Sequence, residues 1–272
     1  MRKGVIGKVL TPLASIVLLL LVWEAIVVVF NVQSYVVPRP LVAIQAVTDN
    51  WGTLWPLVLE IIRETIFGFL GGALIGIFFG VIMSKVRFFQ RIIYPQLILS
   101  QAVPVVAVAF PLTVIFGFGS VKPIILIVIW IVFFPVTVNV LDGLGHVDQD
   151  LLNLAKVYGA SRWRTFWQIE VPASVTPLFS GLKIGATYAI TGAFIGELIS
   201  PPLVSTNLAI YVEQANSHFD PASVYGVTLL MAFIGVAWFL IVSGAGVLAT
   251  PWERRTVVRR WRRRIATPEG DR

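Results

Sequence analysis

The residues able to do chemistry in this chain are few, and their surroundings narrow what that chemistry can be. Glu24, Glu60, Arg63, Glu64 and Glu197 stand inside long apolar runs. An ionisable side chain is costly there, so each marks either a pathway or a structural ion pair. Glu60, Arg63 and Glu64 fall within one helical turn and can neutralise one another, which reads as a structural cluster near the outer edge of a membrane. Glu197, in GAFIGELISPP, has no basic residue within a turn of it; it stands at the mouth of a pathway or simply marks the interface. Ser100 and Gln101 precede Pro104 in YPQLILSQAVPVVAVAFPLTVIFGFG, a stretch that also holds Pro95 and Pro111. Proline in a spanning helix frees a carbonyl and kinks the chain. Ser100, Gln101 and Pro104 therefore suit the lining of a translocation pathway, the alternative being a kink that only fits the bundle.

Other chemistries lack their residues. The sequence has no G-x-x-x-x-G-K-[ST] loop, no H-E-x-x-H, no G-x-S-x-G and no paired carboxylates on a polar scaffold, so no catalytic residue is expected. It has no cysteine, and His146 and His218 lie far apart without ligand spacing, so neither a disulfide nor a metal site is expected. Any work against a gradient then draws on a partner or an ion gradient.

The elements that must position these residues are set by composition. Of the 272 residues 57% are hydrophobic and only 13% charged, against about 25% charged in a soluble domain. The apolar runs are long enough to cross a bilayer, which takes ~20 residues, and the alternation of a barrel is absent. The fold class expected is an all-α integral membrane protein with about six transmembrane helices, near 11–30, 57–84, 92–117, 122–141, 174–199 and 223–248. The first run is too long for a signal peptide's apolar region and lacks a small-x-small cleavage site.

Orientation follows from the basic residues. With the N-terminus inside, all but Arg39, Arg63 and Lys122 of the 21 Lys and Arg fall to the inner side, so both termini are expected in the cytoplasm. The chain then divides into a cytoplasmic N-terminus (1–10), a membrane domain (11–250) and a basic tail (251–272). Seven arginines within eleven residues of that tail fit contact with anionic lipid better than nucleic acid. The outer loop 200–222 has no Lys or Arg, and its middle can form a short amphipathic surface helix.

Gly68, Gly72, Gly76 and Gly80 recur at strict intervals of four in the second span, with Gly71 beside them. They form a smooth strip that lets another helix backbone approach, within the chain before a homodimer face. The fifth span shows no matching strip on this reading. The inner connection 142–171 is unlike the rest of the chain. Leu151, Leu154 or Ala155, and Tyr158 recur at helical spacing, Gly159 can end that helix in the left-handed conformation, and Ser161 can cap a second helix. The second helix has an apolar face of Trp163, Phe166, Trp167 and Ile169, and Pro172 is expected to break it. The product is a compact helix-turn-helix exposing Lys156 and Arg162.

These residues resemble the EAA loop of binding-protein-dependent ABC importer permeases. The family pattern runs E-A-A, three residues, G, and about eleven residues later an apolar residue and proline. Ala155, Gly159 and Pro172 match it, while Asn153 replaces the family glutamate and Leu154 its first alanine. The likeness extends over roughly 35–250, through VVPRPLVAIQAV, ETIFGFLGGALIGIFFGVIMS, SQAVPVVAVAFPLTVIFGFG and FFPVTVNVLDGL. It is nearest the subgroup for nitrate, sulfonates, taurine, and pyrimidine or thiamine precursors, and SQAVP with FFP…DGL points to its pyrimidine-precursor and riboflavin branch.

The resemblance implies a type I importer fold in a bacterial cytoplasmic membrane, a second copy of the chain around a central pathway, and a substrate-binding protein docking outside. It implies a dimer of cytoplasmic ATPases that uses ATP and magnesium, this chain binding no cofactor itself. Asn153, Leu154, Ala155, Lys156, Gly159, Ala160, Ser161 and Arg162 are then the ATPase-coupling residues. A self-sufficient secondary transporter or channel is the alternative, and it calls for an internal repeat and paired intramembrane charges. A membrane scaffold recruiting a soluble protein is a third reading, against which Ser100, Gln101 and the prolines argue.

Overall fold

Long apolar runs with good helix formers leave the backbone one way to satisfy its polar groups in hydrocarbon, and the computed structural model is helical throughout. It describes residues 3–202 and 205–251, with side chains from residue 14 onward, so nearly all of the basic tail expected over 251–272 lies outside the described residues. The helices are α1 (Lys3–Val29), α2 (Pro40–Asp49), α3 (Trp51–Lys85), α4 (Arg87–Ala102), α5 (Val105–Phe116), α6 (Val121–Gly145), α7 (Gln149–Val157), α8 (Arg162–Thr165), α9 (Val171–Ile199), α10 (Leu208–Ser217) and α11 (Pro221–Ala249). No strand occurs among them.

About six spans were expected. Among the described residues four helices are long and apolar enough to cross a membrane, α3, α6, α11 and the continuous Arg162–Ile199. A fifth is formed if the α4–α5 pair is counted as one span bent by 97°. The first run lies in α1, Lys3–Val29, whose described side chains form the apolar stretch Ala14–Val29.

Two further differences have physical causes. The third run is broken, not merely kinked. Pro104 has no N–H to donate, and its ring pushes Val103 out of the helical region; Val103 is accordingly extended at φ −79° and ψ 122°. Pro172, by contrast, breaks nothing. The helix passes through a π turn at Phe166–Glu170 and runs on as α9, with Pro172 in its first turn. The wider π turn, closed by Val171 N–H on the Phe166 carbonyl, relieves the carbonyl that a proline ring would otherwise strike.

The chain forms two compact units, Met1–Ile62 with Pro201–Ile234, and Arg63–Ser200 with Gly235–Arg272. In the first, the Gly226 position on α11 lies against the Ala43 carbonyl of α2, and a Cβ there would meet Val47 Cγ2 at 2.9 Å. Trp23 of α1 meets Tyr225 with ring centroids 5.7 Å apart, and Arg39 Nε approaches Glu24 Oε1 at 3.7 Å. The outer-loop helix expected within 200–222 is α10, whose Asn207 cap accepts from the Ile210 N–H at 2.9 Å.

The second unit is built around α6. Val128, Val132, Val136 and Val140 form a buried row at intervals of four on this helix, and the α3 glycines lie along it. A Cβ at Gly72, Gly76 or Gly80 would meet the Cβ of Val132, Val136 or Val140 at 2.8, 2.8 and 2.7 Å, and Gly68 is closed by Val128 in the same way. Branched valines have one strongly preferred rotamer in a helix, so this seam forms at little entropic cost. The expectation of a strip in the second span alone does not hold. On α9, Gly181, Gly192 and Gly196 press on Pro135, Ile131 and Ile124, and Gly185 on Val132. α6 is thus gripped between two glycine-bearing helices, and the spacing on α9 is irregular enough to escape a search for a strict repeat.

Candidate functional site

The 142–171 connection folds as a closed turn between two capped helices. Asp148 Oδ1 accepts the Asp150 N–H at 2.9 Å to start α7, while Asp150 in its first turn and Lys156 in its last complement the helix dipole. At the other end Gly159 N–H donates to the Lys156 carbonyl and Ala160 N–H to the Ala155 carbonyl, both at 2.9 Å. This paired closure is a Schellman motif, which needs a left-handed residue at Gly159; its φ is +70°. Ser161 Oγ then accepts the Arg164 N–H at 3.3 Å, and Thr165 Oγ1 donates to the Ser161 carbonyl at 3.1 Å. Every residue from Tyr158 to Ser161 is thereby used in ending one helix or starting the next.

α7 presents two faces. Leu151, Leu154, Val157 and Tyr158 are exposed, the last two at 82% each. Ala155 is half-buried, and Leu152 turns toward α3 with Lys156 beside it. Asn153, Lys156, Gly159, Ser161 and Arg162 are exposed and Ala160 is half-buried. Asn153 lies inside α7 and so does not cap it. The knob is tied to the spans by a contact that sequence reasoning missed, an ion pair between Lys85 Nζ at the end of α3 and Glu170 Oε2 in the π turn. The same ammonium stands 4.8 Å from the centroid of the Phe166 ring. Its only signal in the sequence was one charge of each sign at two apolar boundaries.

The residues suggested for a pathway are not all brought together. Ser100, Gln101 and Pro104 gather at the α4–α5 corner, where Ser100 Oγ donates to the Leu97 carbonyl at 2.7 Å and Gln101 Nε2 to Ser100 Oγ at 3.3 Å. Gln101 and Pro104 are exposed. Glu197, expected at the mouth of a pathway or at the interface, is fully buried on α9. Of the trio on α3, Glu60 and Arg63 are exposed while Glu64 is buried, so they do not share one environment. Among the described residues no group of three His, Cys, Asp or Glu side chains could hold a metal ion.

The described residues thus give membrane-length helices, a sharply bent helix pair and a capped helix-turn-helix between two spans. Residues 72–255 match the family described as binding-protein-dependent transport system inner membrane component, and the chain belongs to it. It is 28% identical to a probable ABC transporter permease protein of Haemophilus influenzae, over 87% of this chain and 95% of that one. It is 25% identical to the formylaminopyrimidine transport permease protein ThiX of Halalkalibacterium halodurans, over 91% of this chain and 98% of that one. Identity to the riboflavin transport system permease protein RibX of Chloroflexus aurantiacus is 26%, over 88% of each. The fold is that of a chain in the MetNI methionine ABC transporter in inward-facing conformations, with a TM-score of 0.64 at 14% identity, over 74% of this chain and 98% of that one.

Proposed function

We propose that this permease is the membrane subunit of an ATP-driven importer whose α7–α8 turn seats in a separate cytoplasmic ATPase. The carrying observation is the Schellman-closed turn at Gly159 beside an unburied apolar stripe, Leu151, Leu154, Val157 and Tyr158. An apolar stripe on a nine-residue helix is a poor surface to leave in water, and a helix closed by caps at both ends moves as one body. Asn153, Leu154, Ala155, Lys156, Gly159, Ala160, Ser161 and Arg162 make this contact. The ATPase dimer uses ATP and magnesium; the chain itself binds neither.

The broken span carries the second half of the reading. Backbone that leaves the helical pattern at membrane depth is tolerated only where protein covers it or water reaches it. The exposed corner at Gln101 and Pro104 therefore faces a pathway, and a second copy of the chain encloses that pathway from the other side. Both termini lie in the cytoplasm of a bacterial cell whose inner membrane holds the protein, as the distribution of Lys and Arg supports. An extracytoplasmic binding protein delivers the solute to the opposite face. Relatives named for formylaminopyrimidine and for riboflavin cover about nine-tenths of the chain, which supports a small heterocyclic cargo. A taurine permease at 26% identity keeps the sulfonates in the same test.

The experiment is mild-detergent purification of the tagged chain from its own host, with mass spectrometry of what stays bound. An ATPase in equal amount supports the reading, and the binding protein encoded beside it can then be screened for ligand. A chain that emerges alone even after crosslinking refutes it and favours a self-sufficient transporter.

A further inference from the structure

Lys156 and Arg162, besides their part in the proposed ATPase contact, line a second feature of the 142–171 connection. On the side of α7 away from the exposed stripe lies a cleft of about 540 Å³ lined by Val81 and Lys85 of α3, Leu152 and Lys156 of α7, and Arg162 and Phe166 among others from the following helix. It holds three cations and one carboxylate, Glu170, already paired with Lys85. The excess is positive, and the walls between the charges are apolar and aromatic.

Its depth follows from its walls. Lys85, the last residue of α3, is the first charged residue after the uncharged run 65–84, a run of the length that crosses a bilayer's hydrocarbon, so the cleft opens at the end of that run. Exposed aromatic side chains stand around that level: Trp163 at its rim, with Trp167 in ring contact at 5.6 Å, and Phe88 and Phe89 at the start of α4. Aromatic rings with a polar or cationic neighbour are the usual furniture of a membrane–water interface, and basic pockets between spanning helices bind anionic head groups.

We propose that this cleft is a binding site for an anionic phospholipid, its phosphodiester held by Lys156 and Arg162 and its glycerol end resting against Trp163 and Phe166. The ligand wedges between the end of α3 and the inner face of α7. The site shares Lys156 and Arg162 with the proposed ATPase contact, and its consequence rests on that reading: a bound lipid sets the angle at which the exposed stripe of α7 is presented.

The test uses the full chain in neutral detergent. Phosphatidylglycerol and phosphatidylcholine with the same tails are titrated separately, and retained lipid is read by native mass spectrometry. Phosphatidylglycerol is expected to be retained at least about tenfold more tightly, an advantage that Lys156→Gln with Arg162→Gln removes. Phosphatidylglycerol with brominated tails should quench a tryptophan signal that disappears in Trp163→Phe. Equal retention of the two lipids by the wild-type chain overturns the proposal without reference to any variant. Full displacement of phosphatidylglycerol by millimolar inorganic phosphate overturns the lipid assignment in favour of a soluble anion. Binding is read without nucleotide or ATPase, so failure here leaves the proposed function standing, and failure of that function leaves this site testable.

Discussion

Replacing Gly159 isolates the conformation of the turn from everything else. Its φ is +70°, and a Cβ built there meets nothing within 4 Å, so alanine adds no clash and acts through the backbone alone. Holding an L-residue in the left-handed region costs about 1–2 kcal/mol, a factor of about 5–30 in the ratio of closed to open turn. Asparagine tolerates that region better than other residues, while a β-branched side chain is a genuine outlier there. Proline, with φ fixed near −65°, cannot adopt it at all. The expected order of coupled transport is therefore Gly ≈ Asn, then Ala, then Val, with Pro inactive. The assay is uptake per ATP hydrolysed in proteoliposomes holding the chain and its co-purified ATPase, with membrane abundance as the control for folding. Wild-type coupling in Gly159→Val would refute the conformational argument. An asparagine variant as damaged as the valine one would refute it differently, showing that the partner needs the bare glycine surface rather than the turn.

Gly76→Ala forces a Cβ to 2.8 Å from the Phe133 carbonyl, a backbone atom that cannot step aside; overpacking of about 1–3 kcal/mol should lower thermal stability in detergent, whereas Gly52→Ala, with open space around it, should not. Glu170→Gln removes the partner of Lys85, whose side chain is 42% exposed, and should destabilise the chain by at most about 1 kcal/mol, with much of the loss recovered in the exchanged pair Lys85→Glu with Glu170→Lys; no recovery in the same thermal assay would show that the ion pair is incidental. Pro104→Ala restores an N–H and lets α4 run on past Ala102, so the chain should still insert while uptake falls at least about tenfold; unchanged uptake would remove the broken corner from the pathway.

Much of this was legible in the sequence because it is local. Long apolar runs with few charges define spanning helices without reference to any partner, since in hydrocarbon a helix alone satisfies its backbone within one segment. Gly159 and Ser161 could be assigned to a cap and a turn because capping needs only three or four neighbouring residues. The strip at Gly68, Gly72, Gly76 and Gly80 was visible as a face, since a helix repeats its own geometry. What that face touches was not, because the valine row opposite it begins 60 residues along the chain from its glycine counterpart, at Val128 against Gly68. The same holds for Lys85 and Glu170, 85 residues apart, and for Glu197, whose burial is decided by helices packed around it. Proline shows the division most plainly. Pro104 and Pro172 carry the same missing N–H and the same ring, yet one turns the chain through 97° and the other is absorbed by a π turn. A local rule says that each must perturb a helix; whether the helix breaks or widens depends on the packing around it, and only the tertiary structure supplies that.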